Sequence, residues 1–421
     1  MRRLLGPILL TLGLTASATL VGCSVDDTPR GAIAAAAASA RKIDLTRFDT
    51  AAEWQSGNGA GTAVDDGRLV LDAPIGTRSA NGRTYDLARW TSPWVAPGFS
   101  YTELIASWSA KTPKNSWIEV QVRGRSGADG GRRTTWDVLG RWAAGDQHVQ
   151  RSTESGQSDD GTSVAVDTWR TTGLPSYQLR VVLLRRTGSG ARPSLDLVTA
   201  MSSQLPSSAG ATSKPGVARG IVLPVPRYSQ MVHTGHYPAW GGGGEAWCSP
   251  TSTSMVLGYY NALPKPKRYR WVPSGHTDPW VDYAARMTFD HAYDGTGNWP
   301  FNTAYAAPRA GKAFVTRLRS LREAERFIAA GIPLVVSVAF GAGELSGAPI
   351  SASNGHLLVI AGFRKGGRVV VNDPASSTRK GVRRSYRRDE FEKVWLEASG
   401  GLAYVIHDDA HPLPSGTHTN W

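Results

Sequence analysis

Strict alternation of apolar and polar positions marks the first half of the chain. In Trp117-Ile118-Glu119-Val120-Gln121-Val122-Arg123, the residues Ile118, Val120 and Val122 share one face and Glu119, Gln121 and Arg123 the other. That period of two belongs to a strand with one buried side. Tyr177-Gln178-Leu179-Arg180-Val181 repeats it and runs on into an all-apolar stretch. Shorter runs at 68–71, 104–108 and 164–169 are divided by Gly, Ser, Asp and Asn turns. Many short strands with turn signals between them predict an all-β sandwich, jelly-roll-like, over residues 44–201. Residues 202–218 are small, polar and proline-containing, the composition of a linker.

Beyond the linker the period lengthens. Met255, Val256, Tyr259 and Tyr260 pair at helical spacing behind Pro250, which fits a first helical turn. Ser320 and Glu323 have the spacing of a capping box, Leu321, Ala324, Phe327 and Ile328 give an apolar face, and Gly331 closes the helix. Ile332–Val338 and Leu357–Phe363 predict buried strands, and Lys365-Gly366-Gly367 turns the second into Arg368–Asn372. The domain with mixed helices and strands spans 219–410, with a polar tail at 411–421.

The N-terminus has the form of an export leader. Arg2 and Arg3 precede an apolar, uncharged run ending in Leu20-Val21-Gly22-Cys23, which resembles a bacterial lipobox. This predicts a signal peptide over 1–22, lipid attachment at Cys23 and a flexible tether over 23–43. The protein is then extracytoplasmic and lipid-anchored to the membrane. The alternative is cleavage after Ala38-Ser39-Ala40 and a secreted product.

Formal charge is +13, or +11 once Arg2 and Arg3 are removed. The basic residues are scattered apart from the pairs at 379–380, 383–384 and 387–388, and no nucleic-acid motif accompanies them. Charge alone favours anionic surfaces such as cell-wall polymers, not nucleic acid. Eight tryptophans fall between Trp54 and Trp169. Aromatic residues in strands are chiefly core, with glycan contact by the sandwich as the second reading.

Cysteine usage directs attention to one residue. The chain has two cysteines, and with Cys23 in the leader, Cys248 has no disulfide partner outside the cytoplasm. A lone thiol there is exposed to oxidation unless it is buried or has a task. Cys248 lies between Gly241–Gly244, which reads as a mobile rim, and the helix begun at Pro250. A helix start stabilises a thiolate, the reactive form, and supplies N–H groups for an oxyanion. No Gly-Lys-Ser/Thr follows the glycines, so they are not a phosphate loop.

A cysteine nucleophile needs a base and a group to orient it. His356 follows Gly355 at the start of an apolar strand and is the candidate base. Asp373, at the end of the next strand, is the candidate orienter, with Asn372 the competing one. His236, His276 and His291 read as surface or loop residues. Asp278, Asp282, Asp290 and Asp294 lie near them in sequence, but no HxxxH-type spacing supports zinc.

The order Cys248, His356, Asp373 resembles the papain-like clan, in which a helix carries the cysteine and a sheet the other two. The second half is similar to the bacteriocin-processing-type peptidases, family thirty-nine of the cysteine peptidases, in their stand-alone secreted lipoprotein branch. Val225–Gln230 resembles that family's opening, Trp247–Thr251 its nucleophile helix, and Gly331–Val335 its central strand. Gly355–Leu357 resembles the histidine strand, Val371–Pro374 the acid, and Tyr386–Asp389 with Phe391 and Trp395 the closing helix. The resemblance implies an α+β papain-like cysteine peptidase domain behind the all-β sandwich. It implies an extracytoplasmic cysteine peptidase that cleaves a peptide or amide bond through an acyl-enzyme, with Gln230 at the oxyanion hole. Neither metal nor organic cofactor is needed. Its partners would be a peptide or cell-wall peptide substrate and, through the lipid anchor, the membrane. A cell-wall peptide amidase or endopeptidase fits the same residues. In a different class, a non-catalytic envelope protein would bind through the sandwich. One departure is that Gln230 stands eighteen residues before Cys248, a longer gap than in the transporter-linked members.

Overall fold

A computed structural model describes residues 40–127 and 131–421. The leader, the Cys23 site and the tether up to residue 39 lie outside the described residues. Among those described, no helix is long and apolar enough to cross a membrane.

The alternating half forms two antiparallel sheets, one of eight strands and one of six. Ser176–Arg186 lies between Arg83–Thr91 and Ser116–Arg125 at the centre of the smaller sheet. Its register sets Leu183 opposite Ile118, Val181 opposite Val120 and Leu179 opposite Val122, so the apolar face predicted from alternation is continuous across both strands. That face shares one core with Leu104, Ala106 and Trp108 of the larger sheet.

In the larger sheet Tyr101–Lys111 pairs with Ser194–Gln204 and Thr168–Leu174. It is buried on both sides, because its outer face packs on Trp299–Ala310 and Lys312–Arg317 of the second half. Small hydroxyls occupy that contact. Ser107 Oγ accepts from Val315 N at 3.0 Å and pairs with Thr199 Oγ1 at 2.7 Å.

Six of the eight tryptophans, Trp54, Trp90, Trp108, Trp117, Trp142 and Trp169, are core residues. Trp94 and Trp136 are half-buried and carry stacked arginines, Arg125 4.5 Å from the Trp94 ring and Arg180 3.7 Å from that of Trp136.

The run 164–169, expected as one strand, is instead a hairpin. Thr162–Ala165 and Thr168–Leu174 pair across Val166-Asp167. Val166 adopts φ +57°, a left-handed conformation that a β-branched side chain resists.

The second half is built on a six-stranded antiparallel sheet. Its order is Lys312–Arg317, Leu402–His407, Leu334–Phe340, Ser353–Phe363, Val369–Asn372, Arg383–Tyr386. Leu402–His407 is buried along its whole length, which requires cover on both faces. Helices Cys248–Tyr259, Trp299–Ala310, Leu321–Ala329 and Arg388–Ser399 pack on this sheet. The helix predicted behind Ser320 forms without its capping box. Glu323 Oε2 turns instead to Arg319 N at 2.8 Å and Asn420 Nδ2 at 2.9 Å.

Composition misjudged the connecting segments. Ser202, Ser203 and Gln204 belong to a strand, and the later part of the predicted linker is strapped to the second half. Gly216 N and Ala218 N donate to Glu325 Oε2 at 2.7 and 3.1 Å, and Ser213 N to Glu392 Oε2 at 2.6 Å. The tail folds back likewise: Thr419 Oγ1 donates to Ile43 O at 2.7 Å and Asn420 is buried. Lys42 and Ile43, placed in the tether by composition, open the first strand. Buried carboxylates that accept backbone N–H groups turn small polar residues from tether into structure. The described residues accordingly form a single compact unit.

Candidate functional site

Cys248 is the first residue of its helix, reached through the turn Gly244–Ala246. It is a free, half-buried thiol. Behind it, the next six helix residues are fully buried. Two of them fix the helix to the sheet: Ser249 Oγ lies 3.0 Å from Tyr404 Oη, and Ser252 Oγ donates to Leu357 O at 3.1 Å. The second bond ties the Cys248 helix to the backbone beside His356.

His356 and Asp373 meet because Ser353–Phe363 and Val369–Asn372 are antiparallel, with Val359 opposite Asn372. His356 Nε2 stands 2.8 Å from Asp373 Oδ1, and both residues are buried. Asp373 Oδ1 also accepts from Ala375 N at 3.1 Å, and its Oδ2 accepts from Tyr386 Oη at 2.7 Å. With Nε2 engaged, Nδ1 is the ring nitrogen left for the thiol, and Cys248 is near enough to the imidazole to help raise it.

Burial alone would push the His356 imidazole down, but the Asp373 carboxylate and then Cys248 outweigh it and raise it to about 10. Burial would raise Asp373, yet the His356 charge and the Tyr386 hydroxyl hold it below its ordinary value. Tyr386 was not selected from sequence for this role. A hydroxyl on the neighbouring strand is recognisable only once register is known.

Asn372, the competing orienter, is engaged elsewhere. Its Nδ2 donates to Val225 O and Pro226 O at 3.2 and 2.8 Å, and its Oδ1 accepts from Arg383 Nε at 2.5 Å. It fastens the irregular entry segment of the second half, and Asp373 is the residue on the imidazole.

Gln230 is buried in the short turn Gln230–His233. Its backbone N donates to Pro374 O at 2.9 Å, next to Asp373. Its side-chain amide donates to Glu245 O, three residues before Cys248. The four residues singled out thus converge on one region despite the long gap. Gly241–Gly244 is not a free rim: Gly241 borders the cleft, but Gly244 is buried, and a Cβ there would lie 1.9 Å from His233 O.

Cys248 opens into a cleft of ≈ 490 Å³. One wall comes from Tyr293, Trp299 and Asn354, and the other from the first half, through Ala165–Thr168 and Arg170. Asp167 sits in that hairpin with its Oδ2 accepting from Trp299 N at 2.9 Å. Burial lifts its carboxyl to about 7. Nothing in the local pattern of 164–169 pointed to this placement, because it depends on how the two halves pack.

The histidines read as surface or loop residues do lie in loops but are not free at the surface. His236 and His276 are only partly exposed and bind the fully buried Asp282 through Nδ1, at 2.8 and 3.2 Å. His291 is half-buried beside Arg151.

Residues 44–203 match the family described as "Peptidase C39 N-terminal domain", and residues 222–403 match the "Peptidase_C39 like family". No curated protein matches the chain. Among solved structures, a family two carbohydrate esterase from Cellvibrio japonicus is similar at 12% identity with a TM-score of 0.18. That match covers 52% of this chain and 50% of the esterase, so it spans half of each and bears on neither fold nor chemistry.

Proposed function

The chain belongs to the C39 cysteine-peptidase-like family, and on that premise we propose that it is an extracytoplasmic cysteine peptidase cleaving a peptide amide bond. The observation that carries this reading is the buried His356–Asp373 pair at 2.8 Å, with Cys248 at a helix start near enough to raise the same imidazole. We read the second half as a papain-like α+β domain, since a helix carries the thiol and an antiparallel sheet the other two groups.

In this mechanism the Cys248 thiolate attacks the scissile carbonyl. His356, as imidazolium, protonates the leaving amine while Asp373 holds the ring and its charge. The Cys248 backbone N–H and the Gln230 amide stabilise the oxyanion. Water, deprotonated by His356, then cleaves the thioester and returns the free thiol. The cleft offers an extended substrate a floor at Cys248 and a wall contributed by the first half. The leader pattern ending at Cys23 supports membrane anchoring by lipid, with cell-wall peptides as the substrates in reach.

The test is labelling of the mature protein with a thiol-reactive peptidase probe at mildly acidic pH. Fast labelling of the native chain and slow labelling of His356→Ala is the expected result. Equal rates would reduce Cys248 to an exposed thiol and sink the proposal. Peptide release from proteins compared with release from cell-wall digests then separates a general peptidase from a cell-wall endopeptidase.

A further inference from the structure

Upstream of the nucleophile, the excursion from Gln230 to Cys248 brings two imidazoles to a single carboxylate. His233 Nδ1 lies 3.1 Å from Asp282 Oδ2, and His236 Nδ1 lies 2.8 Å from Asp282 Oδ1. His233 and Asp282 have no exposed side-chain surface and His236 has 18%. One ligating atom from each of the three lies within 4.8 Å of those of the other two.

Hydrogen bonds alone would fix each ring against the carboxylate and leave the angle between the rings free. The rings are instead perpendicular, at 89°, with centroids 5.3 Å apart. Two imidazoles bound through Nδ1 to one tetrahedral ion, with bonds of ~2.0 Å, have centroids roughly 5 Å apart. The same polyhedron has ligand-to-ligand edges of ~3.3 Å, which the 3.1 Å from His233 Nδ1 to Asp282 Oδ2 approaches, while His236 reaches the other carboxylate oxygen.

A third histidine has a different place. His276 stacks on His236 with centroids 3.6 Å apart and an interplanar angle of 18°. Parallel rings that close cannot both aim an in-plane lone pair at one ion. Its Nδ1, 3.2 Å from Asp282 Oδ1, suits an outer partner that orients the carboxylate. The surroundings are largely aromatic: Trp247 and Val281 are buried there with Tyr237, Trp240 and Trp280 packed against them. Of the nearby charges, Asp278 is paired with Arg379, and Glu245 Oε2 accepts from Gly235 N.

We propose that His233, His236 and Asp282 hold a divalent transition-metal ion. Two imidazoles and a carboxylate suit zinc, whereas magnesium and calcium take oxygen ligands. The ion would clip the turn at 230–237 to helix Pro279–Thr288. The stretch it secures has only two short 3-10 turns of regular structure, and Gly244 packs directly on the His233 carbonyl. A clip at His233 therefore sets the approach to both Gln230 and Cys248. Its ligands are spread over two segments of the chain, so no short spacing motif announces it.

The experiment uses the untagged mature chain carrying Cys248→Ser, which keeps ions from the thiol. Elemental analysis after exposure to zinc and dialysis is expected to give one ion per chain. Cobalt loading should give the intense visible absorption of four-coordinate cobalt. His236→Ala, at the partly exposed ligand, should lose that absorption at unchanged far-ultraviolet circular dichroism, and His276→Ala should weaken binding about 10- to 100-fold. Absence of stoichiometric zinc and cobalt from the folded chain would overturn the proposal. So would equal binding by His236→Ala.

Discussion

Asp373 Oδ1 and His356 Nε2, 2.8 Å apart and both buried, fix which face of the imidazole meets the thiol. Asp373 is also the main reason the imidazole, ordinarily at 6.5, is raised to about 10 against the effect of burial. A raised folded value gives stability that is complete below 6.5 and is lost as pH rises through about 10. The basic limb of kcat/KM is expected in the same region. Asp373→Asn should bring that limb down toward neutrality and lower kcat by about 10²- to 10⁴-fold. An unmoved basic limb in the pH–rate profile would show that Asp373 does not hold the imidazolium.

Tyr386 acts on the pair from the far side, since its Oη donates to Asp373 Oδ2 at 2.7 Å. A hydrogen bond to a charged group contributes about 1.5–3 kcal/mol. Asp373 is held below its ordinary 3.8, so its stabilising effect is present above 3.8 and is lost as pH falls through the lowered value. Tyr386→Phe should start that acid loss at a higher pH and cut kcat roughly tenfold with KM little changed. Acid unfolding curves and steady-state kinetics read the two effects separately. Tyr386→Trp is no substitute control, because the ring stacks on Phe391 with centroids 6.0 Å apart.

For Gln230 the relevant quantity is transition-state affinity. Its side-chain amide donates to Glu245 O, and the proposed mechanism gives its second N–H to the oxyanion. Removal of one oxyanion donor costs about 10²- to 10³-fold in kcat. Gln230→Ala should show that loss, with the affinity of a peptide aldehyde falling by a similar factor. Loss of kcat with unchanged aldehyde affinity would assign the Gln230 side chain to its contact with Glu245 O alone.

What could be foreseen from the sequence followed from local rules. Alternation at Ile118, Val120 and Val122 foretold a buried face, and Pro250 with the paired residues at 255–260 foretold the helix that carries Cys248. His356 and Asp373 could be brought together because a three-residue turn implies adjacent antiparallel strands. The parts that were missed depend on contacts between distant segments. Glu325 and Glu392 turn the linker into a strap, Asn420 takes Glu323 from its capping box, and Asp282 gathers histidines from two separate loops. Composition in 202–218 has no trace of a carboxylate more than a hundred residues away.

Val166 is a test of whether the hairpin wall is built for the substrate. Its φ of +57° strains a β-branched residue, and such strain costs about 1–3 kcal/mol. Val166→Gly should relieve it and raise the unfolding midpoint. If the wall positions the substrate, the same change raises KM for an extended peptide while a minimal one-residue substrate is unaffected. Equal effects on both substrates would make the strained turn a feature of packing only.

Asp167 connects the two halves at the same wall and gives stability a distinct pH signature. Burial lifts its carboxyl from 3.8 to about 7, with Trp299 N and the Thr168 hydroxyl only partly offsetting the shift. Between these values the folded chain retains a proton that the unfolded chain has lost, so stability from the protonated form is complete below 3.8 and declines as pH rises through about 7. Asp167→Asn keeps an acceptor for Trp299 N and removes the titration. The variant should therefore unfold at a higher temperature than the native chain at pH 8 and near the same temperature at pH 4. A Tm difference that is constant across that range would mean that Asp167 is not the group whose ionisation strains the contact between the hairpin and helix Trp299–Ala310.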